Sequence, residues 1–386
     1  MRIAFVTSCM EAGRDGVGDY VRVLAAACVQ RGHSCRIVAL NDHYVDRPVE
    51  LKQTARNTDL EVLRLPGSSA WPARSVAART WLDRQPADWV SVQFVPYGFH
   101  SKGVVASLGR HLLPLIAARR VHLMFHELWL GMERGASFRN RVMGWAQRRA
   151  VLTLVRRLSP HVIHTSNRAY QALSRAEGMP ARLLPLCGSI AVAENPGQWL
   201  ESEGAKLGVG GPRDQSWWFG LFGTLHPVWS SEPLFRHIGE AAGSAGRRVV
   251  IASIGRQGQG ESLWRDLNAR YSPRFSFVNF GERSTTEVSA FLQSVDFGIA
   301  TTPWEIIGKS GTAAAMLDHG LPTIVSRDDV RFKVALEPDP SPEPLLYKMD
   351  SQLPRWLIGK PARRPPRDGL PGMADTFLAD LEAARP

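Results

Sequence analysis

Cysteine is scarce in this sequence, and long apolar runs are absent. The 386 residues include only four cysteines, Cys9, Cys28, Cys35 and Cys187, and none of them forms a C-x-x-C pair. This spacing excludes a disulfide-rich scaffold and an evident zinc motif, and it fits a reducing compartment. No apolar run reaches the roughly 18 residues that a membrane span needs, and the apolar start is too short for a signal peptide. We therefore expect a cytoplasmic protein that contacts a membrane, at most, peripherally at its inner face.

Acidic residues are fewer than basic ones, while apolar residues are not depleted. Lys and Arg number 47 against 36 for Asp and Glu, which gives a net charge of +11. The 44% of hydrophobic residues excludes a disordered chain, and the length predicts two or three domains. The charge favours anionic partners such as sugar nucleotides, phospholipid head groups or nucleic acid. Since no nucleic-acid recognition motif accompanies it, we expect no nucleic-acid partner.

The first half of the chain has the pattern of a parallel α/β domain. A short apolar strand at 2–7 is followed by a glycine-rich turn at 11–19. Apolar residues then recur at helical spacing up to 31–33, and a second strand follows at 36–40. Strand, loop, helix and strand in this order form a βαβ unit, which requires a parallel sheet. The further strands predicted in this half are 89–95, 121–125, 162–165 and 183–186.

The same pattern restarts after a polar segment. The composition predicts a Rossmann-like domain at 1–190, a linker at 191–216, a second Rossmann-like domain at 217–360 and a proline-rich strap with a last helix at 361–386. Whether this strap returns to the first domain is left open. The strands predicted in the second half are 217–222, 248–254, 275–280, 297–301 and 323–326. Two successive α/β halves joined by a polar linker suggest two Rossmann-like domains that face a cleft.

Two features of the first domain are candidates for ligand binding. Gly16 and Gly18 lie in the turn that precedes the first helix, where backbone N–H groups can receive an anion, although glycines also occur in tight turns without any ligand. His126 directly follows the strand at 121–125, at the edge where α/β sheets bind ligands. A satisfied structural histidine is the alternative at this position.

The densest motif of the sequence is TTPWEIIGKSGT at 301–312, between a predicted strand and a predicted helix. Amides at a helix N-terminus and the ammonium of Lys309 can bind phosphate, while the carboxylate of Glu305 can bind sugar hydroxyls. The Gly-Lys-Ser of this motif lacks the upstream glycine of a P-loop, which excludes an NTPase of that type. An ordinary helix capped by Ser310 or Thr312 is the alternative.

Together these residues make the chain resemble the GT-B glycosyltransferases of family 4, the group-1 type. The most specific part is the region from Gly281 to Pro322, with Pro303-x-Glu305 and Met316-x-x-x-Gly320-x-Pro322. The resemblance covers nearly all of residues 1–330. The other matching segments are 16–20, 31–33, 126–127, 165–167 and 222–224.

The resemblance implies a metal-independent hexosyltransferase that has no resident cofactor and retains the configuration of the transferred sugar. The donor is a nucleotide-diphosphate sugar, and the acceptor is an unknown glycan, lipid-linked or small molecule. His126 is expected near the anomeric centre, Glu305 on the sugar hydroxyls, and both are implied to be catalytic. The implied donor-binding residues are Gly16, Gly18, Gly223, Thr224, Arg256, Gly308, Lys309, Ser310, Gly311 and Thr312.

The sequence departs from this family at two places. Ala315 stands where the family has a second glutamate that grips the ribose. The stretch 223–229 lacks the Arg and Lys that neutralise the leaving diphosphate, and Lys309, Arg256 and His226 are the candidates for supplying this charge. These departures keep a second hypothesis open, in which the protein binds sugar nucleotides but its transferase activity is lost or altered.

A basic stretch at 139–157 offers a candidate contact surface. It is either an amphipathic helix that lies on an anionic membrane, which would suit a lipid-linked acceptor, or a surface helix whose apolar stripe packs on its own sheet. Its arginines are Arg139, Arg141, Arg148, Arg149, Arg156 and Arg157.

Overall fold

A computed structural model describes residues 1–209, 212–226 and 229–384, apart from the side chain of Gln259. Pro227 and Val228, which belong to the stretch without Arg or Lys, lie outside the described residues. Residues 210–211 of the predicted linker and 385–386 of the predicted strap lie outside them as well.

The chain divides into two compact α/β units. The first comprises Met1–Leu186, Phe332–Leu336 and Leu370–Pro386, and the second comprises Cys187–Arg331 and Glu337–Gly369. The chain therefore passes from the second unit back to the first for its last helix. Both sheets confirm the predicted Rossmann-like class.

The first unit contains an eight-stranded sheet with the order β3-β4-β2-β1-β5-β6-β7-β8, in which β3 and β4 pair antiparallel and the other described neighbours pair parallel. Its strands are β1 Arg2–Thr7, β2 Ser34–Asp42, β3 Val49–Ala55, β4 Thr58–Pro66, β5 Trp89–Phe94, β6 Arg120–Phe125, β7 Val162–Thr165 and β8 Arg182–Leu183. Its helices are α1 Gly16–Gln30, α2 Trp71–Asp83, α3 Pro96–Phe99, α4 Leu108–Ile116, α5 Phe138–Leu158, α6 Arg168–Ala176 and α13 Leu370–Ala383.

The second unit contains a parallel six-stranded sheet with the order β11-β10-β9-β12-β13-β14. Its strands are β9 Ser216–Phe222, β10 Arg248–Ile254, β11 Ser276–Asn279, β12 Phe297–Ala300, β13 Thr323–Val325 and β14 Leu346–Lys348. Its α-helices are α7 Trp199–Lys206, α8 Glu232–Ala245, α9 Glu261–Tyr271, α10 Thr285–Ser294, α11 Gly311–Asp318 and α12 Leu353–Ile358. Short 3₁₀ helices span Arg213–Gln215, Gly258–Gly260 and Trp304–Lys309.

Alternation along β9 explains how the second sheet is buried on both faces. Trp217 and Phe219 pack into one apolar cluster, where Phe219 stacks on Phe297 with ring centroids 4.9 Å apart. Trp218 faces the other cluster, around Phe291. Since successive side chains of a strand point to opposite faces, a continuous apolar run is what a sheet covered by helices on both sides requires.

Several sequence-based boundaries were wrong. The hairpin of β3 and β4 was missed, because the edge strand β3 alternates between half-buried and exposed residues and both strands include several charges. The segment 191–216, read as a linker, contains α7, whose Leu200 is fully buried in the second unit. The strand predicted at 183–186 overlaps the two-residue β8, Arg182–Leu183, at Leu183 alone. Strand β14 follows β13, which was expected to close the set.

Candidate functional site

The strand order of the second sheet reverses between β9 and β12. From β9 the chain moves to β10 and β11 on one side, whereas β12, β13 and β14 lie on the other. Open α/β sheets bind ligands in the crevice beyond the carboxyl ends of the two strands at such a switch point. Here these ends lead into Gly223-Thr224 and into the motif at 301–312.

Gly223 allows the loop after β9 to approach the start of α11. Its φ of +73° lies in the left-handed region, and a Cβ atom there would lie 3.3 Å from Cγ2 of Thr312. A side chain would be strained by this backbone and by the short contact. Thr224 follows as an exposed residue, and a Cβ on Gly258 would lie 3.4 Å from its Oγ1. The loops after β9 and β10 therefore meet at this edge.

Ser310 caps helix α11. Its Oγ accepts a hydrogen bond from the Ala313 N–H at 3.2 Å and lies 3.0 Å from Oγ1 of Thr312. Gly308 and Gly311 are exposed, so backbone can be reached from solvent immediately before the cap and in the first helical turn. This is the geometry in which helix amides receive an anion.

Glu305 lies in the 3₁₀ helix that follows β12, and its side chain is 16% exposed. Its Oε1 is 3.6 Å from Nε of Arg331, which also pairs with Asp328. Hydrogen bonding to Asp328 and the charge of Glu305 contribute to raising the pKa of Arg331. The sequence predicted Glu305 but missed Arg331, which holds a positive charge beside this carboxylate.

Basic side chains gather where the sequence lacked the expected Arg and Lys. The pKa of His226 is lowered by burial and then by the positive charges of Arg327 and Lys309, while Asp329 opposes the shift. Arg327 directly follows the β13 edge, its side chain is 11% exposed, and it pairs with Asp329 at 2.7 Å. The sequence reasoning missed Arg327, although its position beyond a strand neighbouring β12 was a usable signal.

Arg256 is half-buried in the loop that follows β10. The neighbouring Gln257 anchors this loop, because its Nε2 donates to Oγ of Ser253 at 2.9 Å. Arg256 therefore lies at the same strand edge as Thr224, and its part in donor binding stays a prediction.

Ala315 is fully buried, which explains one departure from the family pattern. A Cβ on Gly188 would lie only 2.6 Å from Cα of Ala315. A glutamate at this position would have to displace the adjoining chain and would bury its charge in the apolar cluster of the second unit. The second carboxylate of the family therefore has no accessible counterpart at this position.

His126 in the first unit is 8% exposed at the end of β6. Its Nε2 lies 2.9 Å from Oε1 of Gln93, and its ring packs edge-on against Tyr20 with centroids 4.9 Å apart. Burial lowers its pKa to about 3, so the ring is neutral at pH 7. The partner Gln93 was not found from the sequence, because a polar residue within an apolar strand has no local signature.

The expected glycine loop before α1 is part of the helix itself. Gly16 and Gly18 lie in the first turn, and Asp15 caps the helix by accepting a hydrogen bond from the Gly18 N–H. A Cβ on Gly18 would lie 2.7 Å from the carbonyl oxygen of Cys9, so close backbone approach requires this glycine. Because the Asp15 carboxylate already complements the helix dipole, this end is a weaker anion site than the sequence predicts.

The basic stretch forms helix α5, and its two faces differ. Val151, Leu154 and Leu158 are buried, as the packing alternative predicts. Phe138 and Trp145 are nevertheless 74% and 56% exposed on the opposite face, so neither sequence-based alternative describes the whole helix.

No helix among residues 1–209, 212–226 and 229–384 is long and apolar enough to cross a membrane. The same residues contain no group of three or more His, Cys, Asp or Glu side chains placed to hold a metal ion.

No family model matches the sequence, and no curated protein matches it. Among solved structures, the catalytic domain of starch synthase IV from Arabidopsis thaliana, bound to ADP and acarbose, is similar with a TM-score of 0.56 and 12% identity over 99% of this chain and 94% of that one. The Anabaena protein Alr3699/HepE in complex with UDP-glucose is similar with a TM-score of 0.52 and 13% identity, over 84% of this chain and 80% of that one. An α,α-trehalose 6-phosphate synthase from Burkholderia multivorans is similar with a TM-score of 0.52 and 13% identity, over 99% of this chain and 93% of that one.

These neighbours share an architecture of two Rossmann-like domains, which is also the architecture of this chain. Identities of 12–13% carry the fold and not the activity, so membership of family 4 stays a prediction. The fold predicted from the sequence resemblance is confirmed: this protein has the GT-B fold.

Proposed function

We propose that this protein is a retaining, metal-independent glycosyltransferase that moves a sugar from a nucleotide-diphosphate donor to an acceptor. The observation that carries the proposal is the switch point of the second sheet, where the loops after β9 and β12 meet through Gly223 and Thr312. A crevice at such a point, with a helix N-terminus beside it, suits a nucleotide diphosphate.

The charges at this edge match the leaving group. Lys309 and Arg327 both act electrostatically on His226, so two permanent cations lie within range of one loop. A diphosphate gains negative charge as the sugar departs, and fixed cations stabilise that charge without reorganisation. They fill the role that the missing Arg and Lys of the 223–229 stretch would have.

Glu305 is suited to hold the donor sugar. A carboxylate accepts hydrogen bonds from two neighbouring hydroxyls, and Nε of Arg331 lies 3.6 Å from Oε1 of Glu305, where its charge complements the carboxylate. His126 is proposed as the polar group near the anomeric centre. A neutral imidazole offers an acceptor nitrogen to the substrate and adds no positive charge against the cationic transition state.

Turnover with a panel of UDP-, GDP- and ADP-sugars tests this function, with released nucleotide as the readout and EDTA present in a parallel arm. We expect release with one donor class, unaffected by EDTA, and NMR of the product should show the donor's anomeric configuration. Glu305→Ala should lower turnover at saturating donor, whereas Glu282→Ala, an exposed carboxylate in the same unit, should not. Equal turnover of parent and Glu305→Ala would remove Glu305 from the site.

A second candidate is a sugar-nucleotide-binding protein without transfer. The buried Ala315 favours it, since the ribose loses one expected carboxylate. A thermal-shift panel over the same nucleotides separates the two candidates, because ligand binding stabilises the fold whether or not chemistry follows. Stabilisation by a sugar nucleotide that is never consumed, even with glycan and lipid-linked acceptors added, would favour this second function.

We also propose that α5 docks on an anionic membrane and brings the enzyme to a lipid-linked acceptor. Phe138, Val142 and Trp145 recur at helical spacing and are all more than half exposed. Six arginines and no acidic residue occur in this helix, and Arg149 lies over the Trp145 ring at 4.5 Å. Exposed aromatic groups beside arginines fit the boundary between lipid head groups and acyl chains.

Flotation with vesicles of phosphatidylcholine, with and without phosphatidylglycerol, tests this contact. We expect binding that requires the anionic lipid, weakens with salt and falls at least fivefold in Trp145→Ser combined with Val142→Ser. Arg265→Ser, an exposed arginine of the second unit, is the control. Binding that persists in the double variant would move the contact elsewhere, and binding to RNA but not to vesicles would replace the membrane as partner.

A further inference from the structure

A chain of buried hydrogen bonds begins at His126 and crosses the first sheet. Nε2 of His126 lies 2.9 Å from Oε1 of Gln93, whose Nε2 donates to Oγ of Ser91 at 2.7 Å. The same Oγ is 2.7 Å from Nδ1 of His122 on the neighbouring strand β6. Gln93, Ser91 and His122 are at most 1% exposed.

The chain continues through a third histidine to the last helix. Nε2 of His122 lies 3.0 Å from Nδ1 of His164 on β7, and Nε2 of His164 lies 2.8 Å from Oδ2 of Asp380 on α13. Arg182 pairs with the other oxygen of Asp380. Asp380 is 23% exposed at its side chain, while His164 is fully buried.

Asp380 fixes the direction of these bonds at its own end. A carboxylate accepts hydrogen bonds and cannot donate them, so the proton of His164 lies on Nε2 and its Nδ1 accepts from His122. Burial lowers the pKa of His122 and of His164, where Asp380 opposes the shift, and each neutral ring therefore carries one N–H. His122 must then hold its proton on Nε2 as well.

The same logic extends to His126. Nδ1 of His122 accepts, so the hydroxyl of Ser91 donates to it and accepts from the amide N–H of Gln93. The carbonyl oxygen of this amide then faces His126, which donates from Nε2. All five hydrogen bonds therefore run in one direction, from the N–H of His126 to the carboxylate of Asp380, and every link pairs one donor with one acceptor.

We propose that Asp380 and Gln93 are positioning residues that, through this chain, hold His126 in its Nε2–H tautomer with Nδ1 as the acceptor nitrogen. The amide of Gln93 neither accepts nor releases a proton readily at neutral pH, so the chain orients groups and is not a proton wire. The consequence for glycosyl transfer rests on the proposed function, whereas the tautomer does not.

A purely structural role is the rival explanation. Buried polar groups need partners, and these side chains satisfy one another whatever they do for His126. Polar residues are, however, costly in strands that helices cover on both faces, where apolar side chains would pack without desolvation. Mutual satisfaction accounts for the bonds themselves, whereas only a positioning role predicts that a change at Asp380, five hydrogen bonds away, alters the tautomer of His126.

Histidine tautomers of the full chain can be read by long-range ¹H–¹⁵N NMR correlation at pH 7, with a His126→Asn spectrum to identify the signal of His126 among the 11 histidines. We expect the Nε2–H form in the parent protein and a loss of at least a third of that form in Gln93→Met and in Asp380→Ala. Asp380→Asn retains an acceptor for His164 and should restore it. Asp375→Ala is the matched control, because Asp375 lies on the same helix as Asp380 but pairs with Arg31, outside the hydrogen-bond chain.

A parent protein with the Nδ1–H form, or an unchanged tautomer in both Gln93→Met and Asp380→Ala, would overturn the proposal. If Asp380→Ala fails to fold, the tautomer of His126 in Gln93→Met alone decides the proposal. Where transfer activity is found, Gln93→Met should lower kcat at least tenfold with KM for the donor within twofold. Absence of any transfer would refute the proposed function and leave the NMR result to decide the positioning role.

Discussion

The central strands of the two sheets solve the same packing problem with different chemistry. In the second unit β9 contributes Trp217, Phe219 and Leu221 to one apolar cluster, and the candidate ligand-binding residues lie in loops beyond the strand ends. In the first unit β5 carries Ser91 and Gln93 within the sheet. The comparison teaches that a site can be held either by rigid apolar strands that carry functional loops or by polar groups built into the strands themselves.

The difference has a physical cost and a physical use. Apolar strands gain stability from burial, and their loops can change without disturbing the core. Polar strands must satisfy every buried donor and acceptor, but in return they can orient a single side chain, the role proposed above for Gln93 toward His126. A substitution in the apolar second sheet should therefore lower stability without affecting His126, whereas a substitution in the polar strands of the first sheet should also change the orientation of His126.

Phe219→Ala should have the largest effect on stability. The side chain is fully buried against Phe297, and its removal leaves a cavity that costs about 3–5 kcal/mol of unfolding free energy. Urea unfolding measures this loss, while the tautomer of His126 should not change. Ile358→Ala, at a 49% exposed position in the same unit, should cost far less. Similar losses for both variants would contradict the apolar account of this sheet.

His126→Ala should affect catalysis more than folding. We expect kcat to fall about a hundredfold, equivalent to about 2.7 kcal/mol of transition-state stabilisation, with nucleotide affinity nearly unchanged. Melting temperature and kcat are to be measured on one preparation. A variant that loses stability but turns over normally would leave His126 as a structural residue of the first sheet.

Acid should destabilise the protein through the buried histidines. The pKa of His126 is lowered by burial to about 3, against about 6.5 in an unfolded chain, so between these values the unfolded state binds the extra proton. The stability contribution is therefore present above about pH 6.5 and is lost as pH falls, by up to about 1.4 kcal/mol per pH unit. His126→Asn should flatten the dependence of unfolding free energy on pH between 6 and 4, whereas parallel curves would contradict the buried neutral state.

Lys309→Ala and Arg327→Ala should give the smallest change, confined to the loops of the second sheet. Each should weaken binding of UDP or GDP about tenfold, the loss of one charge-assisted contact, and leave the weaker binding of the nucleoside nearly unaltered. Calorimetry with both ligands measures the contrast, and Arg265→Ala serves as an exposed control. Equal losses for nucleotide and nucleoside would show that these cations shape the pocket and do not bind phosphate.

Local patterns were sufficient for the regular parts of the fold. The strands Arg2–Thr7, Val162–Thr165 and Arg248–Ile254 were predicted to the residue, because each is a short run of mostly apolar residues whose ends are marked by turn, polar or charged residues. The hairpin of β3 and β4 was missed, since the half-exposed and exposed residues of β3 resemble a surface loop. Helix α7 escaped because its polar surroundings dominate the composition of that segment.

Residues that are close together in the sequence were also sufficient to predict part of the candidate site. Glu305, Lys309 and Ser310 were found because a strand, a turn and a helix cap follow one another in the chain. Arg327 and Arg331 were not found, since they reach the same edge from the next strand along the sheet.

By itself, the sequence determined that two parallel α/β domains form and that residues 301–312 follow a strand, because apolar periodicity and turn residues act over a few positions. Only the tertiary structure decided which distant groups meet. Gln93 reaches His126 across 33 positions, and Asp380 reaches His164 across 216, because parallel strands and a returning helix bring them together. No local pattern records such a contact, since its energy exists only once the sheet has formed and water is excluded.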